Sequence, residues 1–288
     1  MLERTEAAIL FPGQGCSVVG AREVVALYCA ELYARARRTL GCDPLARAEE
    51  GTCYAQPAIF LASLAGWRAA QVAGVSACAF AGHSLGELTA LTAAGVFAPE
   101  DGLELVILRG RLMEEAARRN PGGMIAVLKG TVEQAEWLAA ECGLFVANYN
   151  APGQTVLTGP STALEAAAQV AREEGMRAMR LDVSGQFHSP AMSCVSEPFE
   201  VALRSAPRRE PSVAVLSCMT AEPFRDPPAE LSAALCAPVR WSETMAALAG
   251  DGMPSFLDVG PDHVLARLTS RNVPQARALG LEEIGVCV

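Results

Sequence analysis

Apolar runs alternate with amphipathic stretches along the first third of this chain. Residues 7–11 form an unbroken apolar run that ends in Pro12-Gly13-Gln14-Gly15, the pattern of a buried strand feeding a tight turn that exposes backbone N–H groups. Helical periodicity follows over 22–40 and 56–70, then a short strand over 76–81 and a helix beginning near Leu85. Strands alternating with helices predict a parallel sheet. From 122 the pattern changes to strand 124–128, helix 132–141, strands 144–148 and 154–157, helix 162–174 and strand 179–183. That βαββαβ order predicts a compact insert. A strand over 213–217, a proline-rich loop over 222–228 and a strand over 255–259 ending in Gly260-Pro261 read as a return to the first unit. No internal repeat, low-complexity tract or heptad pattern interrupts this layout.

The expected fold is thus α/β: a large α/β-hydrolase-like domain with a mainly parallel sheet (1–120 and 185–288) and an inserted ferredoxin-like small domain (121–184). With 288 residues, two cores at most are expected, and 51% hydrophobic against 19% charged residues describes a chain that folds alone. The net charge of −9 supplies no basic field for a phosphate backbone, which argues against nucleic acid as a partner. The 10 cysteines show no CxxC spacing and read as reduced, mostly buried thiols. The first residues lack the basic and apolar regions of a signal peptide, and no long uncharged apolar stretch suits a membrane span. A cytoplasmic protein is expected.

Gly82-His83-Ser84-Leu85-Gly86 is a GxSxG sequence between a strand and a helix, the setting of a nucleophile elbow. Glycines flank the turn because a Cβ there would clash, and the Leu85 N–H, next after the nucleophile, is placed to meet a developing oxyanion. A serine hydroxyl needs a base, and the chain holds 3 histidines. His83 is adjacent to Ser84 and leaves the backbone in another direction, as a packing residue. His263, with Asp258 or Asp251, completes the order Ser, Asp, His of an α/β-hydrolase. His188 lies where the chain re-enters the large domain, a natural cleft, and is modestly favoured over His263. Arg109 has Leu105, Val106, Leu112 and Met113 as its helical neighbours, so its guanidinium points inward and needs an anion: an internal acid or a substrate carboxylate.

Beyond these local signals, FPGQG (11–15), GHSLGE (82–87), LRGRLM (108–113), NYNAPGQTVLTG (148–159), FHSPAM (187–192), PVRW (238–241) and DVGP (258–261) occur in one order over nearly the whole chain. Together they resemble malonyl-CoA:acyl carrier protein transacylases, both the fatty-acid enzyme and the free-standing acyltransferases of polyketide synthases. The resemblance implies that Ser84 attacks the thioester, His188 takes its proton, the N–H groups of Gln14 and Leu85 hold the oxyanion, and Arg109 binds the malonyl carboxylate. It implies a main-chain carbonyl near Ala234, in place of an acid, behind the histidine. Gln56 and Asn150 match positions lining the family's cleft, with hydrogen bonding within loop and strand end as their alternative role, and Phe187 resembles malonyl-selecting members. Cys16-Ser17 and Ala237 depart from common members. The implied partners are malonyl-CoA and an acyl carrier protein, for which Arg35, Arg37 and Arg38 are weak docking candidates; no metal or bound cofactor is implied. An acyl hydrolase using the same serine, and a non-catalytic docking subunit, are the alternatives.

Overall fold

Strand β1 (Glu6–Phe11) is buried from Ala7 onward and forms the middle of the main sheet in a computed structural model that describes residues 6–183, 185–250 and 255–286. Ser184, which ends the expected insert, and Asp251 lie outside the described residues. The chain continues through α1 (Arg22–Tyr28), α2 (Ala30–Leu40) and α3 (Thr52–Val72). The single helix expected over 22–40 is broken at Cys29, where φ is −136°, because Arg68 of α3 reaches across and draws off the Tyr28 carbonyl at 2.8 Å.

Strand β2 (Ser76–Gly82) runs parallel to β1 and turns sharply into α4 (Leu85–Ala93), after which α5 (Pro99–Arg119) packs along α3. The chain then builds a separate sheet from β3 (Gly123–Leu128), α6 (Val132–Glu141), β4 (Phe145–Ala151), β5 (Gln154–Gly159), α7 (Ser161–Glu173) and β6 (Arg177–Arg180). A reciprocal cap between Thr131 and Gln134 starts α6 where the periodicity predicts it. The strand order is β4-β5-β3-β6, all antiparallel, which is the ferredoxin-like arrangement, over its own core of residues such as Ile125, Leu138, Leu157 and Leu164. The last strand falls two residues earlier than its apolar pattern suggests. As an edge strand bonded only to β3, it tolerates Arg177 and Arg180, and this frees Leu181 and Val183 to face a cavity. The two connecting segments meet in an isolated antiparallel bridge between Pro121 and Gly185.

The return to the main sheet passes through α8 (Ser193–Ser205), β7 (Ala214–Leu216), α9 (Pro227–Ala233), α10 (Trp241–Gly250), β8 (Ser255–Asp258), α11 (Val264–Asn272) and β9 (Arg277–Leu279). Pro227 and Pro228 open α9 rather than extend the expected loop, since the first helical turn has no N–H to lose. The main sheet has the order β7-β2-β1-β8-β9 with every pair parallel, so both the turn after β1 and the elbow after β2 emerge at its carboxyl edge. Among the described residues no helix is long and apolar enough to cross a membrane.

Candidate active site

Ser84 caps the N-terminus of α4 with φ 54° and ψ −108°, a conformation a non-glycine residue holds only when its surroundings impose it. Those surroundings are backbone. A Cβ on Gly82 would lie 1.9 Å from the Gly86 carbonyl carbon, and one on Gly86 would lie 1.9 Å from the Phe11 oxygen. The elbow therefore rests directly on the end of β1, and no side chain fits between them. On its other side, Gly13 approaches so closely that a Cβ would fall 2.3 Å from the His83 oxygen, which sets the Gln14 turn against the elbow. Leu85, fully buried, begins α4, so its N–H has no acceptor within the helix.

His188 Nε2 stands 2.8 Å from Ser84 Oγ, while its Nδ1 lies 2.9 Å from the Ala234 oxygen and 3.1 Å from the Ala237 oxygen. Carbonyl oxygens only accept, so the ring proton sits on Nδ1 and the Nε2 lone pair faces the serine. Burial, and then the neighbouring Arg109 charge, push the His188 pKa down to about 4, which keeps the ring neutral near pH 7. His263 is not part of this arrangement. It caps α11 in a left-handed conformation against Gly280, and Asp258 accepts the N–H groups of Gly260, Leu265 and Ala266 at 2.9, 2.7 and 3.1 Å. Of the two carboxylates named for the order Ser, Asp, His, Asp258 is thus spent on backbone N–H groups at and just before the start of α11. His83, expected only to pack, does lie against Trp241 with ring centroids 5.4 Å apart, and its Nε2 also donates to Asn150 Oδ1 at 2.9 Å.

Arg109 is 4% exposed; its Nη1 donates to Gln56 Oε1 at 3.0 Å and its Nη2 to Ser84 Oγ at 3.1 Å. Among the described residues no acid makes an ion pair with it. Burial lowers its pKa to about 10, with the charge of Glu87 opposing the shift, so it remains a cation. Gln14, Gln56, Ser84, Arg109, Asn150, Phe187 and His188 all line one cavity of about 320 Å³, closed by Met113, Met124, Val156, Leu181 and Val183. Of the residues that the elements alone do not mark, Met113 was recoverable, being one helical turn from Arg109 on the same face. Leu181 and Val183 lie in the expected strand 179–183 with nothing to mark a cavity wall, and Glu87, the last residue of GHSLGE, carries no sign of its burial. The cavity shares Gln14, Gly15, Asp182 and Val183 with an outer groove of about 660 Å³. Neither Arg35 nor Arg37 lines the cavity: Arg35 pairs with Glu104 on α5, and the Arg37 guanidinium lies over the Tyr33 ring, 5.8 Å from its centroid.

The acyl transferase domain family matches residues 43–284 of this chain. The malonyl CoA-acyl carrier protein transacylase of Salmonella typhimurium is 35% identical over 302 residues, covering 97% of this chain and 96% of that protein. The polyketide biosynthesis protein ThaF of Burkholderia thailandensis is 35% identical over 282 residues, which are 93% of this chain but 24% of the relative. Among solved structures, the acyl-carrier-protein S-malonyltransferase of Burkholderia pseudomallei superposes with a TM-score of 0.89 at 31% identity, over 98% of this chain and 100% of the other. A malonyl-transacylase solved in complex with its type II polyketide synthase acyl-carrier protein gives 0.86 at 32% identity, over 96% of each chain. On this combination of sequence, fold and site geometry, the chain belongs to the malonyl CoA-acyl carrier protein transacylases of the acyl transferase domain family.

Proposed function

We propose that the chain moves a malonyl group from malonyl-CoA to the phosphopantetheine thiol of an acyl carrier protein, through an ester on Ser84, in fatty-acid or polyketide biosynthesis. The observation that carries this reading is a buried guanidinium that makes no ion pair among the described residues and is bonded to the serine oxygen itself. A short acyl chain ending in a carboxylate suits such a fork. Ser84 Oγ attacks the thioester carbonyl as its proton passes to His188 Nε2, and the oxyanion forms against the N–H groups of Gln14 and Leu85. Collapse breaks the C–S bond, and the departing CoA sulfur takes the proton from His188. The carrier thiol then repeats the sequence in reverse, giving its proton to His188 and releasing Ser84. Each charge and proton has a named side chain or amide, so the reading calls on no metal or bound cofactor. The free thiols of the described cysteines suit a reducing compartment, the cytoplasm.

Discharge of the isolated acyl-enzyme tests the acceptor. With holo carrier protein, malonyl is expected on the carrier thiol far faster than free malonate appears in buffer alone; the opposite ranking identifies an acyl hydrolase. Phe187, 4% exposed and lining the cavity, is proposed to limit space beside the malonyl α-carbon. One methyl group is worth about 1–3 kcal/mol in a tight pocket, so Phe187→Ser is expected to raise methylmalonyl use relative to malonyl about tenfold in competition assays. An unchanged ratio in the folded variant removes Phe187 from the substrate's surroundings.

A further inference from the structure

The elbow motif carries an acid that the chemistry above leaves unused. Glu87 lies on the first turn of α4 and is 1% exposed. Its Oε1 accepts from the Cys218 N–H at 2.8 Å and from the Ser217 hydroxyl at 3.3 Å, tying the elbow helix to the end of β7. A neutral glutamine oxygen would accept the same bonds, so this anchoring does not require a charge. The neighbouring α5 presents Arg109, equally buried, with its fork on Gln56 and Ser84. Among the described residues neither Glu87 nor Arg109 has an ion-pair partner. An acid and a base are thus buried on two packed helices, α4 and α5, without an ion-pair contact, and the ionised carboxylate favours the Arg109 cation across that gap. Charges taken out of water in this way attract through a weakly screening interior.

We propose that Glu87, when ionised, is the counter-charge of Arg109, a positioning residue that keeps the guanidinium in place yet stands off its fork, so that above neutrality a malonyl carboxylate enters a site of zero net charge. The inference rests on the malonyl reading and adds a consequence to it. A neutral site holds the anionic acyl group less tightly than a cationic one, which favours release in a reaction that must pass the group on. Burial raises the Glu87 carboxyl to about pKa 7, so its charge disappears as the pH falls through neutrality, and the site becomes cationic. The other titratable groups around it do not follow. Burial holds His188 and His83 below their ordinary 6.5, the Cys218 thiol is raised well above 9.0 by burial, and Arg109 stays charged.

The test measures calorimetric Kd values of malonyl-CoA and acetyl-CoA for the non-turning Ser84→Ala chain, with Glu87 or with Glu87→Gln, at about pH 6 and about pH 8.5. Acetyl-CoA corrects for titration of the CoA phosphates. With Glu87 present, malonyl-CoA is expected to bind about tenfold tighter at the lower pH relative to acetyl-CoA; with Glu87→Gln it is expected to bind tightly at both. A folded Glu87→Gln chain that keeps the pH dependence, or a Glu87 chain that shows none, overturns the proposal. Should Glu87→Gln fail to fold, the pH dependence of the Glu87 chain decides alone. Malonyl preference without pH dependence removes the role of Glu87 only, whereas equal affinity for both esters at both pH values removes the malonyl reading and the proposal with it.

Discussion

Replacing His188 by Ala is expected to slow acylation of Ser84 by at least about 10²-fold, the usual loss when a positioned general base is removed. The ring is set for this role by groups that do not titrate. Two carbonyl oxygens, of Ala234 and Ala237, hold the proton on Nδ1 and leave Nε2 free at 2.8 Å from the hydroxyl. Because burial and Arg109 bring the His188 pKa down to about 4, the ring is already deprotonated well below neutrality. Single-turnover acylation at saturating malonyl-CoA is therefore expected to stay flat from about pH 8 to about pH 5.5 and to fall only as the pH approaches the lowered value. His263→Ala is expected to leave acylation close to wild type, since that residue sits at the N-terminus of α11 with its ring against Gly280. A faster loss with His263→Ala than with His188→Ala would return the choice to the Ser, Asp, His order.

Arg109→Ala is expected to lower malonyl loading by about 10²-fold or more while acetyl loading falls little or rises. Breaking a buried ion pair costs about 3–5 kcal/mol, and the partner proposed for the malonyl carboxylate is a guanidinium only 4% exposed. Acetyl-CoA has no carboxylate to strand, and in the wild type it leaves that guanidinium without an anion in contact. The ratio of malonyl to acetyl on Ser84 reads the difference, with thermal melting to check the fold. Equal losses for both groups in a folded variant would make Arg109 a support for Ser84 and Gln56, its two hydrogen-bond partners.

How much of this was legible in the residues follows from the range of the forces involved. Period and punctuation are local, so β1, the elbow and α6 with its Thr131 cap stand where the pattern puts them. The inward face of Arg109 was also legible, because helical neighbours are fixed by spacing alone. The errors come from contacts made at a distance. Arg68 breaks the helix at Cys29 from another element, and β6 ends early because pairing with β3, rather than apolarity, sets its length. The choice between His188 and His263 was open for the same reason. Nothing in Asp258 itself reveals that three backbone N–H groups will occupy it. The partnership of His83 with Asn150 and the burial of Glu87 against Cys218 depend on where β4 and β7 end, which no window of sequence contains.

Intact-mass measurement after mixing the free enzyme with malonyl-CoA reaches the central claim most directly, since the proposed ester on Ser84 precedes every later step. The expected result is a single malonyl adduct on the wild-type chain, mapped by peptide digestion to Ser84 and lost in Ser84→Ala. An adduct that persists in Ser84→Ala, or a folded wild-type chain that never gains one, would contradict the account.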